Sequence, residues 1–381
     1  MDYQKYNLTN TSIMKKKNLL LTLAFAAMPV MAQMPDTELP DPHPAPASAW
    51  QGVTKAALGW GNIDTQYGRN AVPRMADRLD LYAWRGERVS AQALVLVPQG
   101  GKVTFSVSDL RNGRHVIPAE AVNRYFVRYV MSDSLRQGEY LVPDRLDPAR
   151  ELTAEAQTVR PLWLDIRVPQ TAAPGKYRGT LTAHVDGTGL TIPFTLEVGR
   201  RTLPEPSEWA FHLDLWQNPY SVARFYGVKL WSKEHFDRMR PMMKELAAAG
   251  QKVITASIIK HPWNGQTEDA FESMIGKTLT QGGEWRYDYR VFDRWVEFMM
   301  DCGITEQIDC YTIVPWHLLF EYYDEARNCT VQEKLAPGSK EYEDYLIPFL
   351  KDFARHLKEK GWFGKTCIAM DERPKSLLEP A

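Results

Sequence analysis

A β-sandwich followed by the first half of a (β/α)8, or TIM-type, barrel is the fold class that the sequence predicts, and three observations predict it. Residues 52–204 are divided into short runs rich in β-branched and aromatic residues, separated by turn residues. From Trp209 onward apolar, strand-like runs alternate with helical stretches that end at glycines. Four such strand–helix units precede Ala381, whereas a complete barrel takes eight.

At the N-terminus, residues 1–32 read as a leader. Met14-Lys15-Lys16-Lys17 is a short basic start, Asn18 to Met31 is a compact apolar core, and Val30-Met31-Ala32 resembles a small-residue cleavage site. A signal peptide is thus placed at Met14–Ala32. Its apolar run is shorter than the roughly 20 residues that span a bilayer, and Pro29 stands near its end. The mature protein is therefore expected to be exported, to the periplasm or beyond the cell, without a membrane anchor. Residues 33–51, rich in Pro, Asp and Ala, are expected to form an extended tether.

The segment 52–204 yields its strands in order. Leu79–Trp84, Val89–Val97, Val103–Val107 and Tyr125–Val130 are short apolar runs, and Leu162–Val168 alternates apolar with polar, the pattern of a strand buried on one face. Tyr177–Val185 and Leu190–Val198 flank Asp186-Gly187-Thr188-Gly189, a hairpin signature. Such spacing favours a sandwich. Leu203-Pro204-Glu205-Pro206 closes the domain as a stiff linker.

In 205–381 the expected order is a strand at Phe211–Trp216, a helix at Lys233–Ala249, a strand at Val253–Ile259 and a hairpin around Gly282-Gly283. A helix at Tyr289–Cys302, a strand at Gln307–Val314, a helix at Glu341–Lys360 and a strand at Thr366–Met370 follow. Gly250, Gly303 and Gly361 stop the three helices. A doubly wound open sheet is the rival architecture. Its glycine-rich phosphate loop is missing, because the first strand runs into Gln217-Asn218-Pro219.

Bulk composition narrows the function. The chain has 381 residues, 44% hydrophobic and 24% charged, with a formal net charge of −1. Removing the leader, with Lys5, Lys15, Lys16, Lys17 and Asp2, leaves about −4. No basic stripe is present, so nucleic acid is not an expected partner. Cys302, Cys310, Cys329 and Cys367 show neither CxxC pairs nor metal-site spacing, and no metal or cofactor is expected.

The chemistry gathers where the strands of the second segment finish. These ends read Asp214-Leu215-Trp216-Gln217-Asn218, His261-Pro262-Trp263-Asn264, Pro315-Trp316-His317 and Asp371-Glu372-Arg373-Pro374. Three ends carry a tryptophan and the fourth carries two carboxylates. Sugar rings stack their apolar faces on aromatics, while their hydroxyls need partners such as Asp, Asn, His and Gln. Asp214, Trp216, Trp263, Asn264, Trp316 and His317 are thus the candidate binding residues for a glycan. Packing under loops would also account for some of the 12 tryptophans. Asp371 and Glu372 are the candidate catalytic pair. Successive strand residues point to opposite faces, so the two can share a pocket only if the strand ends before them, as Arg373-Pro374 favours. Neighbouring carboxylates repel, which favours a proton on one, and a protonated acid is what a departing glycosidic oxygen needs.

The segments Ala83-Trp-Arg-Gly-Glu-Arg-Val-Ser-Ala-Gln92, Pro174-Gly-Lys-Tyr-Arg-Gly179 and Ile368-Ala-Met-Asp-Glu-Arg-Pro374 resemble glycoside hydrolase family 123, the β-N-acetylgalactosaminidases. The resemblance runs from about residue 55 to the end, and its Asp-Glu segment is the most specific part. It implies a β-sandwich, then a (β/α) barrel with an Asp-Glu pair after the fourth strand. It also implies substrate-assisted retention: the 2-acetamido oxygen attacks the sugar carbon, Asp371 polarises the acetamido N–H, and Glu372 serves as acid and then base. Family members continue past this point, so half the barrel is expected to be missing and the chain by itself to be inactive. Two other readings stay open: a retaining barrel glycosidase whose nucleophile stands on a later strand, and an exported glycan-binding protein without catalysis.

Overall fold

The computed structural model describes residues 38–132, 138–265 and 267–381, so the expected signal peptide lies outside the described residues. The chain divides into two compact units. The first holds the described parts of residues 38–83, 88–168 and 172–198, and the second holds 84–87, 169–171 and 199–381.

Two antiparallel sheets make up the first unit. One has the order β1-β3-β10-β7-β8, from β1 (Ala57–Gly61), β3 (Arg88–Val97), β7 (Val122–Ser132), β8 (Tyr140–Asp147) and β10 (Thr158–Arg167). The other runs β2-β12-β11-β4-β9, from β2 (Leu79–Arg85), β4 (Gly101–Val107), β9 (Glu151–Ala154), β11 (Gly175–Val185) and β12 (Thr188–Thr202). The short strands β5 (Leu110–Asn112) and β6 (His115–Ile117) extend it beside β11. Val95, Phe126, Leu162 and Leu164 from one sheet and Val103, Tyr177, Leu181 and Phe194 from the other form one buried core. β3 is buried on both faces, since Leu94 and Leu96 pack with Trp50 and Val159 in a separate cluster, which explains its unbroken apolar run. The expected hairpin closes on Asp186 and Gly187 alone, with φ of 46° and 83°. Positive φ at both central residues is the turn whose twist matches a two-residue hairpin.

Residues 38–50 depart from the expected tether. Ala47–Trp50 form a helical turn, Trp50 is buried, and its indole donates to the Asn70 carbonyl. Glu38 sits among three arginines, 2.5 Å from Arg160, 3.2 Å from Arg128 and 3.6 Å from Arg69. A Pro-rich composition sets backbone stiffness but says nothing of one carboxylate's partners.

In the second unit, β13 (Val253–Ser257), β16 (Gln307–Tyr311) and β19 (Thr366–Ala369) form a parallel sheet in that order. Helices α1 (Pro219–Tyr226), α2 (Lys233–Ala248), α3 (Arg290–Asp301), α4 (Lys340–Glu359) and α5 (Lys375–Leu378) complete its helical complement. Ser232 and Ser339 cap α2 and α4 by accepting backbone N–H bonds of 3.2 Å from His235 and Tyr342. Gly250, Gly303 and Gly361 follow α2, α3 and α4 with positive φ, the left-handed exit that glycine permits. Met239, Phe292, Trp295, Phe349 and Phe353 build the core with Ile254 and Ile308.

The strand expected at Phe211–Trp216 is reduced to one bridge, Leu213 opposite Gln251. Side-chain amides take the place of the ladder. Gln251 donates to the Leu215 and Val253 carbonyls and accepts from the Leu215 N–H. Gln217 accepts from the Thr255 N–H at 2.9 Å and donates to the Val253 carbonyl at 3.2 Å. Three parallel strands therefore stand where four were expected. The hairpin around Gly282-Gly283 is present as β14 (Gly276–Leu279) and β15 (Trp285–Asp288). A second hairpin, β17 (Leu319–Asp324) and β18 (Cys329–Lys334), was not foreseen, and β14 joins β17 in a four-stranded sheet.

Lys277 on β14 is buried, donates to the Ile258 carbonyl at 2.6 Å and lies 4.5 Å from the Phe349 ring centre. Burial pushes its ammonium down to about 7. The unfolded chain holds this proton up to a much higher pH, so between about pH 7 and 10 it binds more protons than the folded chain and stability rises with pH. Unfolding free energies across that range are expected to climb by up to about 1.4 kcal/mol per pH unit, and Lys277→Met is expected to flatten the climb.

Candidate active site

The parallel register sets the site. Ser257 pairs with Tyr311, and Tyr311 pairs with Ala369, so the three strands finish in one row. β19 stops at Ala369, and the Arg373 N–H closes a tight turn on the Asp371 carbonyl at 2.6 Å. The carboxylates therefore lie beyond the strand, free of its alternation, as their sharing a pocket requires.

Asp371 is held on both oxygens. Trp316 Nε1 donates to Oδ2 at 2.5 Å, and the Glu372 N–H donates to Oδ1 at 2.9 Å. The Arg373 guanidinium lies 4.9 Å from the Trp316 ring centre, a cation–π contact on the indole that orients Asp371. Glu372 itself is exposed.

Beside this pair stands a set of aromatic rings. Trp216, 51% exposed, lies 5.1 Å from Trp263 and 4.9 Å from Tyr311, and Trp263 lies 4.8 Å from Tyr311. Trp316 packs partly buried against the same cluster. Trp263 differs from the open wall expected of it: it is buried, edge-on to Phe271 at 4.7 Å, and forms the floor beneath Trp216. Trp216 is the ring of this set that is exposed to solvent.

Asp214 has a buried Oδ1 with no hydrogen-bond partner among the described residues. Burial, and then the negative charge of Asp309, hold its carboxyl above the usual range, against the opposing pull of Trp216 and His212. Tyr311 was missed in the sequence. Burial first, then the charges of Asp214, Asp309 and Asp371, raise its phenol, which places it in the field of all three carboxylates. The signal available was its position as the last residue of a buried strand. Asn264 and His317 are not in this ring cluster; they line a neighbouring cavity with Lys260 and His261.

One exposed aromatic ring, Trp216, thus stands over buried ones beside a fixed carboxylate and an exposed one. Residues 216–380 match the family model described as the glycoside hydrolase 123 catalytic domain, and residues 60–185 match the glycoside hydrolase 123 N-terminal domain. With both models of one family matched in order over most of its length, the chain belongs to glycoside hydrolase family 123. It is similar to a family 123 glycoside hydrolase from Clostridium perfringens whose structure concerns glycolipid glycan hydrolysis, with 28% identity and a TM-score of 0.81. That match covers 86% of this chain and 60% of the Clostridium chain, so this chain spans less than two thirds of that structure's length. The N-terminal domain of PorA (13% identity, TM-score 0.19, 38% of this chain and 97% of that one) and the PapD-like domain 7 of human CEP192 (12%, 0.20, 45% and 100%) also match. At those scores neither likeness bears on the site. No curated protein matches the chain. Among the described residues no helix is long and apolar enough to cross a membrane.

A carboxyl whose folded pKa lies above its unfolded one contributes stability at low pH that is lost as pH rises through the folded value. Asp214→Asn, which mimics the protonated form, is therefore expected to raise the melting temperature near neutral pH, by an amount that shrinks toward zero in acid. The same variant is expected to weaken sugar binding, and melting curves between about pH 4 and 8 with a sugar titration check both.

Proposed function

We propose that this protein is an exported glycosidase that removes terminal β-linked N-acetylgalactosamine by substrate-assisted, retaining hydrolysis. The carrying observation is the Asp371–Glu372 pair just beyond a parallel strand, one carboxylate fixed by Trp316 and the other exposed, within the segment that matches the family's catalytic domain. The fold proposed around it is a β-sandwich followed by the first half of a (β/α)8 barrel. Export rests on the leader at residues 1–32.

Trp216 supports the apolar face of the sugar and Asp214 takes a hydroxyl on its unpartnered oxygen. The acetamido oxygen attacks C1 as the glycosidic bond breaks, and Glu372 passes its proton to the departing oxygen. Asp371 accepts from the acetamido N–H. Its two oxygens retain lone pairs for this beyond those used by Trp316 and Glu372. The oxazoline-type ring then opens: water adds to C1, Glu372 takes its proton, and the acetamide is restored with the sugar's configuration retained. No cofactor enters either step. The glycan on a glycolipid, as in the Clostridium enzyme, is a substrate of the right kind.

Hydrolysis of a chromogenic β-N-acetylgalactosaminide by the full-length protein that carries this chain is the test. Turnover is expected, with Glu372→Gln lowering kcat by about 10²- to 10⁴-fold and the 2-hydroxyl analogue of the substrate left intact. A folded wild type without turnover would shift the assignment to a non-catalytic glycan-binding protein. Hydrolysis of the 2-hydroxyl analogue would place the nucleophile on the protein.

A further inference from the structure

Next to the carboxylate pair, the same strand-end loops enclose a second, smaller cavity of about 180 Å³. His261 and Asn264 come to it from the loop after β13, Pro315 and His317 from the loop after β16, and Leu319 and Gln332 from the β17–β18 hairpin. Trp316 stands between Pro315 and His317 and sends its indole to Asp371 instead. One three-residue segment thus serves both places, with its middle residue on the carboxylate and its outer two on the cavity.

The polar groups around this cavity are uncommitted. The side chains of His261, Asn264, His317 and Gln332 make no hydrogen bond or ion pair among the described residues. Lys260, also in the lining, is different: its ammonium lies 3.1 Å from Glu321 and 3.5 Å from Glu272, so its charge is answered within the protein. What remains to meet a ligand is two imidazoles, two amides and the apolar edges of Pro315 and Leu319. Few convergent polar groups on an apolar wall are the mark of a small-molecule site. The two loops also hold His261, Asn264 and Leu318 at φ of 48°, 55° and 54°. Side chains disfavour that left-handed region, and such residues gather where a ligand clamp sets their direction.

We infer that this cavity is the leaving-group subsite, which takes one neutral, hydroxyl-rich ring, the sugar on the far side of the cleaved bond. The inference rests on the proposed function. An enzyme that removes a terminal sugar has no further substrate to hold except on the leaving-group side. The balanced charge at Lys260 favours a neutral ring over an anionic one. The volume, below the roughly 300 Å³ at which drug-sized pockets begin, admits one ring and not a chain. Asn264 and His317, read from sequence as contacts to the reacting sugar, become selectors of its neighbour, and Gln332 joins them.

His317 and Gln332 are exposed, so alanine at either leaves the core untouched. The first readout sets an N-acetylgalactosaminyl disaccharide with a neutral sugar as leaving group against the nitrophenyl glycoside. His317→Ala with Gln332→Ala is expected to raise KM for the disaccharide about tenfold, as loss of one or two hydrogen bonds does, and to raise that for the nitrophenyl substrate, whose leaving group has no hydroxyls to lose, far less. Equal effects on both substrates, or on neither, overturn the subsite. The second readout, calorimetric titration of the same disaccharide onto Glu372→Gln with and without the double change, does not depend on turnover. Affinity lost with the double change, where the wild type hydrolyses nothing, leaves a sugar-binding cavity and removes both the glycosidase reading and the leaving-group role. Hydrolysis with unaltered discrimination keeps the glycosidase and removes the subsite. Tighter binding of a disaccharide carrying a carboxylate on its leaving sugar, or no binding of either disaccharide, overturns the assignment of a neutral ring.

Discussion

The parallel ladder of β13, β16 and β19 is the constraint on which the candidate site depends. Evenly spaced backbone bonds place Ser257, Tyr311 and Ala369 in one row, and once that row exists the residues just beyond it arrive together. Trp263, Trp316 and Asp371 lie far apart in the chain yet meet within a few residues of it. Burial of helix faces holds the ladder in register. Phe292, Trp295, Phe349 and Phe353 are all buried, and Trp295 Nε1 donates to the Thr255 carbonyl in the edge strand at 2.9 Å. A slip of one residue would turn every inward side chain outward and undo that packing.

Around the row, three carboxylates stand in different conditions. Both oxygens of Asp371 have donors, Asp214 keeps a buried oxygen without one among the described residues, and Glu372 is open to solvent. A satisfied carboxylate is held in one geometry, an unsatisfied buried one costs free energy, and an exposed one can exchange protons. The same contrast separates two lysines. Lys260 has carboxylates at hand, whereas Lys277 has one carbonyl, an aromatic face and a distant serine hydroxyl, and burial lowers its affinity for a proton.

Much of the fold could be read from local pattern. The helices expected at Lys233–Ala249, Tyr289–Cys302 and Glu341–Lys360 appear within a residue of those bounds, because glycine stops are local signals and two of the three begin at a serine cap. The Asp186-Gly187 turn was legible for the same reason. The strand at Phe211–Trp216 misled because an apolar run does not reveal what pairs with it. Gln217 and Gln251, distant in sequence, take the backbone bonds that a strand would have made. The β17–β18 hairpin escaped because Leu319–Asp324 is only six residues long and its other partner strand, β14, comes from an earlier hairpin.

The sequence by itself determined the three long helices, the Asp186-Gly187 hairpin, the resemblance to family 123 and the position of Asp371-Glu372 just beyond a strand, since periodicity, caps and adjacent residues are properties of short segments. Tertiary structure alone decided which tryptophan is open, with Trp216 exposed and Trp263 beneath it. It alone brought Tyr311 among three carboxylates and gave Asp371 its donor in Trp316, 55 residues away. It also separated Asn264 and His317 from the ring cluster by turning them toward a cavity completed by a hairpin. Burial and hydrogen bonding depend on what the rest of the chain brings into contact, and no local pattern encodes that.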